Sequence, residues 1–445
     1  MSEWSESVAL PVTPALTPNE AEAIATLGYI YGYPLVLMAA ARASWPTPVN
    51  RFAHLAEFPD DKFTDVAAPN VDTLSSSAWL DLHAEPIVLS VPDVGRRYYT
   101  MQLLDAWTNV IAAPGTRTTG NGNGAFAIIG PGWRGDLPSG IEAIQSPTEM
   151  VRLIGRTYTA GTRDYDAVHA IQRQYELTPL RALGKSTPAV PAATLSAMRP
   201  DSDPPLGQVE KLEAGPFFAR LARLMEANPP SESDEPLVRR LGQLGIVRGA
   251  AFDVARLPAS IVDAVERGVA AGRARLHGAG LEALGKQVDG WRMRLDLGRY
   301  GTNYEQRATV ALAALGANLA EDAVYATADV DVGGQPLSGE NRYRLRFPPG
   351  ELPPVKAFWS VTIYNDRRLL APNPIGRYAL GDRDPVRAEP DGALDLLIQA
   401  DDPGPDLRSN WLPAPAQRFN LVLRLYVPKA AVIEERWRPP AVTRV

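Results

Sequence analysis

The chain of 445 residues contains no cysteine and only four histidines. The missing cysteines exclude disulfides, thiol nucleophiles and cysteine-ligated metals together, and they fit a reducing cytoplasm. The histidines, His54, His83, His169 and His277, stand far apart, and no two share a ligand spacing such as i and i+4. "DVDVGGQPLSGE" has acids at Asp329, Asp331 and Glu340 but lacks the periodicity of a calcium loop. No metal and no organic cofactor is expected. No basic run interleaved with aromatics occurs, and acids exceed bases by 51 to 45 for a net charge of −6, so a nucleic-acid partner is not expected. The first fifteen residues lack the basic start and apolar run of a secretory signal. There is no G-x-S-x-G, no Ser-x-x-Lys, and no glycine fingerprint between a strand and a helix; "GNGNGAFAIIG" leads into a strand and reads as a turn.

What is present begins with residues 23–41, "AIATLGYIYGYPLVLMAAA", which carry no charge. The length approaches a membrane span. Three tyrosines, two glycines and Pro34 favour a buried helix instead, so no membrane partner is expected. Thr17, Pro18 and Glu20 form a capping-box start, and Pro34 is expected to kink or end the helix.

Further on, "PIVLSVP", "RYYTMQLLD", "NVIAAPG" and "GAFAIIGPG" read as short strands punctuated by Pro, Gly and Asn. "SPTEMVRLIGRTYT" and "DYDAVHAIQRQYELTPL" read as capped helices, residues 184–205 as an extended connector, and 303–326 as a further helix. Strands return over 341–428. "IVLSVPDVGRRYYTMQLLDAW" and "YRLRFPPGELPPVKAFWSVTIYND" share one grammar of strand, proline-bearing turn, and strand ending in Asp105 or Asn365. The reading is an α+β, β-rich chain: two antiparallel β-sandwich units, jelly-roll-like, around a helical middle. An N-terminal helix and loop occupy 1–69, the first sandwich 70–146, the helical middle and connector 147–330, and the second sandwich 331–445.

"YGYPLVLM", "PNVDTLSSSAW", "LLDAWTNV", "YGTNYEQRA", "GANLAEDAVY", "AFWSVTIYN", "NPIGRYALGDR" and "NWLPAPAQRFNLVLRLYVPK" resemble the bacterial family that pairs domain of unknown function 1254 with domain of unknown function 1214. The resemblance implies two β-sandwiches with intervening helices, and relatives suggest homo-oligomers. It implies no reaction.

Two segments hold the densest hydrogen-bonding groups. In "PNVDTLSSSAWLDLH", Asn70, Asp72 and Thr73 precede a strand; they are either a capped turn or the lip of a site. On a helix over 303–326, Tyr304, Arg307, Asn318 and Asp322 fall within an arc of about 80°. Tyr31, Tyr99, Asp105, Trp107, Trp359, Tyr364 and Asn365 lie on the early helix or near strand ends, where they suit a neutral or polyol-like ligand. The expected site brings these groups to a cleft between the first sandwich and the helices. Asp72 or Asp322 faces Arg307 as general base and Tyr304 is the proton donor. The expected function is an enzyme of the hydrolase, lyase or isomerase class acting on a small organic molecule by carboxylate and tyrosine chemistry; the alternative is a non-catalytic ligand-binding or assembly protein.

Overall fold

A computed structural model describes residues 16–64, 66–185, 193–194, 203–278 and 285–445. Helix α1 (Pro18–Ala43) starts as its sequence dictates: the Thr17 hydroxyl accepts from the Glu20 N–H, and the Glu20 carboxylate reaches back to the Thr17 N–H at 2.9 Å. Pro34 lies inside it and does not end it. Among the described residues α1 is the one helix long and apolar enough to cross a membrane, and most of it is buried within the protein. A helix that is apolar all round needs neighbours on every side. Its core cluster includes Phe217, Phe218, Leu221, Leu241, Val265 and Ala308, contributed by four other helices.

The strands form four mostly antiparallel sheets. In the first unit, β1 (Ala53–His54), β2 (Thr73–Asp81), β4 (Tyr99–Leu104), β5 (Val110–Ala112), β8 (Met150–Tyr158) and β10 (Ala193–Thr194) build one sheet in the order β10-β1-β2-β8-β4-β5. Strands β3 (Ile87–Val91), β6 (Gly124–Ile129), β7 (Glu142–Gln145) and β9 (Glu176–Pro179) build the other, in the order β7-β6-β3-β9. Leu80, Met101 and Leu153 of one sheet and Leu89, Phe126 and Ile128 of the other share one core.

The second unit repeats this arrangement apart from its outermost edge strand. Its sheets are β11 (Gln287–Val288), β12 (Trp291–Met293), β13 (Ala323–Ala328), β19 (Phe419–Pro428), β15 (Val355–Asn365) and β16 (Ala379–Gly381), in that order, and β18 (Trp411–Pro413), β17 (Leu394–Gln399), β14 (Tyr343–Phe347) and β20 (Val442–Arg444). The order β2-β8-β4-β5 matches β13-β19-β15-β16, and β7-β6-β3-β9 matches β18-β17-β14-β20. The edge strands differ, since β10 runs parallel to β1 and β11 antiparallel to β12. The parallel pair β6–β7 is matched by β17–β18. The turns after β4 and β15 match as well. Asp105 accepts from the N–H groups of Trp107 and Asn109, and Asn365 from those of Arg367 and Leu369.

Helices α2 (Tyr165–Gln172), α3 (Pro205–Glu210), α4 (Ala214–Ala227), α5 (Glu235–Gln243), α6 (Ala259–Gly278), α7 (Tyr304–Ala314) and α8 (Ala430–Ile433) complete the chain. Two expectations fail here. The segment read as a capped helix after Pro147 is β8, the central strand that completes the first sheet, so the first unit runs past residue 146 to β9. The helix expected over 303–326 ends at Ala314, because Gly316 takes a left-handed φ of +89°. Asp322 and Tyr325 therefore leave the helix, Tyr325 lies on β13, and the second unit begins with β11, well before residue 331. The C-terminal tail packs on its own unit, with the Trp437 indole donating to the Glu351 carbonyl at 3.2 Å. Most of the connector expected at 184–205 lies outside the described residues.

His54 illustrates a core histidine. Its Nδ1 lies 2.9 Å from the Ser76 hydroxyl, and its Nε2 is buried without a partner. Burial, with His169 nearby, pushes its pKa down to about 4. The unfolded chain then binds the extra proton first, so stability is full above pH 6.5 and is lost as the pH falls through 4. We predict that His54→Gln removes about 1–3 kcal/mol of this acid sensitivity between pH 7 and 4. Parallel pH–stability curves for the two proteins would count against it.

Candidate functional site

The expected constellation separates into two groups. The first is a seam between the units. The Asn70 carbonyl oxygen accepts from the N–H groups of Asp72 and Thr73 at 2.8 and 2.9 Å, so the capped-turn reading holds for Asn70. That turn aims the Asp72 carboxylate, which is fully buried, at the second unit. Ser360 and Tyr426 donate to its Oδ2 at 2.7 and 3.3 Å, and Arg383 Nη2 lies 2.7 Å from its Oδ1. The last contact is an ion pair between two largely buried groups. Asn70 Nδ2 donates to the Tyr426 hydroxyl, Tyr364 to the Pro69 carbonyl, and Arg424 to the Ala68 carbonyl.

A reciprocal pair crosses the seam the other way. Arg117 of the first unit donates from Nε and Nη2 to the two oxygens of Asp322, at 2.6 and 2.9 Å. The repeat explains it. Thr73 lies opposite Tyr158, and Ala323 opposite Tyr426, so Asp72 and Asp322 precede equivalent strands. Gly115 packs on the Tyr99 carbonyl and Thr100 Cα, and Gly381 on the Trp359 carbonyl and Ser360 Cα. Each glycine stands two residues before its arginine, Arg117 or Arg383. The two units thus meet through self-complementary surfaces, as the subunits of a two-fold dimer would.

The second group surrounds Arg307. Asn303 caps α7 by accepting from the Gln306 N–H, and Tyr304 and Arg307 follow one turn apart. The guanidinium is 2 % exposed and lies 5.3 Å from the Tyr31 ring, 5.2 Å from Trp107 and 5.3 Å from Tyr304. Such contacts are each worth about 0.5–2 kcal/mol, but they leave its N–H groups unused. Nε and Nη2 are buried without a hydrogen-bond partner, and no carboxylate among the described residues lies within ion-pair distance. Asp234 is also buried; Tyr31 donates to its Oδ2 at 3.3 Å, and its Oδ1 is unpartnered. Burial pushes Asp105 up to about 6, opposed by hydrogen bonds from Asn109 and then by the charge of Arg307. Burial, reinforced by the charge of Asp234, pushes Tyr304 up to about 12. Burial also raises Tyr31. Tyr304 is the partly exposed member of the box.

Tyr31, Asp105, Trp107, Tyr304 and Arg307 are therefore brought together, while Asn70, Asp72, Thr73, Asn318, Asp322 and Tyr364 belong to the seam. The expected pairing of Asp72 or Asp322 with Arg307 does not form, because each acid is held by an arginine of the opposite unit. Asn318 donates to the Tyr325 hydroxyl at 3.2 Å. Tyr99 and Trp359 point into the cores of their units, and Asn365 closes a turn. The sequence reading missed Asp234, Arg117, Arg383 and Tyr426. The repeated Gly-x-Arg of "GTR" and "GDR", 115–117 and 381–383, was the signal for two of them. A surface groove of about 410 Å³ beside Asp81 and Glu149 contains the Arg42–Asp81 pair at 2.6 Å and so presents no comparable unpaired cation.

Residues 49–179 match the protein of unknown function DUF1254, and residues 322–430 match the protein of unknown function DUF1214. The chain belongs to the family that pairs these two domains. The matches contain the seam residues, Asn70, Asp72 and Arg117 in one and Asp322, Arg383, Arg424 and Tyr426 in the other. No curated protein matches the chain. It is similar to the crystal structure of the VPA0106 protein from Vibrio parahaemolyticus, with 25% identity and a TM-score of 0.71 over 96% of this chain and 100% of that one. An uncharacterized protein from Burkholderia cenocepacia aligns with 11% identity and a TM-score of 0.46, over 94% of this chain and 87% of that one.

Proposed function

We propose that this family member binds a small organic anion in the Arg307 box. The observation that carries the reading is a guanidinium 2 % exposed with two partnerless N–H groups. Leaving an ion buried without a partner is costly, and a carboxylate ligand would accept both bonds in a fork. Tyr31, Trp107 and Tyr304 supply the walls, and Tyr304 stands between the box and solvent. This replaces a neutral, polyol-like ligand by an acidic one, because the carboxylates expected to neutralise Arg307 are engaged elsewhere.

Thermal-shift titration with small carboxylic acids and their uncharged amides tests it. At least one acid should raise the melting temperature where its amide does not, and Arg307→Met should abolish that rise while remaining folded. Equal shifts for acid and amide, or an undiminished rise in the variant, would overturn the proposal. A second reading, turnover by acid–base chemistry, is favoured by Asp105, whose pKa of about 6 suits proton transfer near neutrality. It asks for product formation that Asp105→Asn abolishes without loss of binding. As to architecture, we read each pair of sheets as a β-sandwich; the parallel pairs β6–β7 and β17–β18 depart from an all-antiparallel jelly roll.

A further inference from the structure

The internal repeat provides a comparison that neither unit offers alone. Arg156 on β8 lies opposite Thr100 of β4, and Arg424 on β19 lies opposite Ser360 of β15. The two arginines therefore occupy equivalent positions on the faces that meet at the seam. Their surroundings differ. Arg424 donates to the Thr362 hydroxyl at 2.8 Å, the Tyr364 hydroxyl at 2.8 Å and the Ala68 carbonyl at 3.0 Å. Leu104 and Gln102 stand at the positions of Tyr364 and Thr362 by strand register. Arg156 consequently forms no side-chain hydrogen bond or ion pair among the described residues, and its Nε is buried without a partner.

Two neighbours on the same face are also unsatisfied. Thr100 Oγ1 is partnerless on a side chain 3 % exposed. Gln102 is 2 % exposed; its Nε2 is fixed by the Ala317 carbonyl at 2.7 Å, so the partnerless atom is the acceptor Oε1. Tyr98 and Tyr426 lie within electrostatic reach of Arg156. The group offers a cationic donor, a hydroxyl able to donate or accept, and an amide oxygen able only to accept. A bare anion would satisfy the first and be repelled by the last. A molecule with a carboxylate on Arg156 and a hydroxyl donating to Gln102 Oε1 satisfies all three.

We propose that the seam holds a second binding site, formed by Arg156, Thr100 and Gln102, for a small hydroxycarboxylate. Both arginines leave Nε unpartnered, but the duplication tied one by three hydrogen bonds from its terminal nitrogens and left those of its counterpart open for a ligand. The site is independent of the Arg307 box, and the experiment separates the two.

Glycolate, acetate and inorganic phosphate are titrated by calorimetry into the full-length protein and into Arg307→Met, alone and combined with Arg156→Gln or Gln102→Leu. Glycolate should bind at least tenfold more tightly than acetate and phosphate, with its affinity unchanged by Arg307→Met. In the Arg307→Met background, Arg156→Gln should abolish glycolate binding, and Gln102→Leu should bring glycolate and acetate to within about threefold of each other. Should Arg156→Gln fail to fold, Gln102→Leu alone decides through that preference. Absence of glycolate binding to the wild type at 20-fold excess over about 1 mM protein, binding lost with Arg307→Met alone, or an intact preference in Gln102→Leu overturns the site.

Discussion

Asp72→Ala will destabilise the protein by about 3–5 kcal/mol, the scale for breaking a buried ion pair from one side. The carboxylate is fully buried and its partner Arg383 is 11 % exposed at the side chain. Removing the acid leaves that guanidinium without its counter-charge and strips an acceptor from Ser360 and Tyr426. Arg424, buried beside it, loses part of the negative charge that offsets its own burial. The reciprocal change, Asp322→Ala, will cost about half as much. Its partner Arg117 is 28 % exposed at the side chain, so water takes over when the acid is gone. Urea denaturation of both variants measures the difference. Equal losses, or a loss under about 1 kcal/mol for Asp72→Ala, would mean that the seam is not held by charge.

Much of this fold is legible in the chain because local signals and tertiary structure agree. The capping box of α1 needs only Thr17 and Glu20, and the Asn70 turn only its own N–H groups. The repeat is visible because both units use the same strand and turn chemistry, down to Asp105 and Asn365. Strand β8 is read wrongly for a physical reason. It is covered on both faces: Val151 and Leu153 enter the core of the first unit, while Met150 and Ile154 pack toward the helices. The apolar–polar alternation that marks a half-buried strand is therefore broken at Met150 and Ile154, and Ser146 to Glu149 mimic a helix start. Gly316 was a helix stop in plain sight, and overlooking it placed Asp322 on the wrong element.

The candidate site divides along the same line. The Arg307 box was half legible, since Tyr31, Trp107 and Tyr304 are aromatic where an ordinary surface carries Lys and Glu. Its acid, Asp234, sits in "SESDEP", which reads only as a capped turn. The pairs Asp72–Arg383 and Arg117–Asp322 join residues 311 and 205 positions apart, and no local pattern encodes such a choice. Only the equivalence of Gly115 with Gly381 carries that information, and it emerges once the strands are in register.

The largest packing effect is expected where α1 meets α6. Gly268→Val will cost about 3 kcal/mol or more through overpacking. A Cβ at this position would come within 2.6 Å of both the Ala25 Cβ and the Glu22 carbonyl oxygen, and within 3.1 Å of the Thr26 N. Two of those atoms are backbone inside a helix, so neither can rotate aside; the helices must separate, and Val265, Val269 and Tyr29 lose contact with them. Gly242 in α5 is the matched control. Nothing lies within 4 Å of a Cβ there, and Gly242→Ala should stabilise by about 0.5–1 kcal/mol from helix propensity alone. The pair of variants also decides what α1 is for. If it is the centre of the helical layer, Gly268→Val lowers the melting temperature and exposes hydrophobic surface to a dye. If α1 instead leaves the bundle to enter a membrane, its partner helix is free of it, and Gly268→Val behaves like Gly242→Ala.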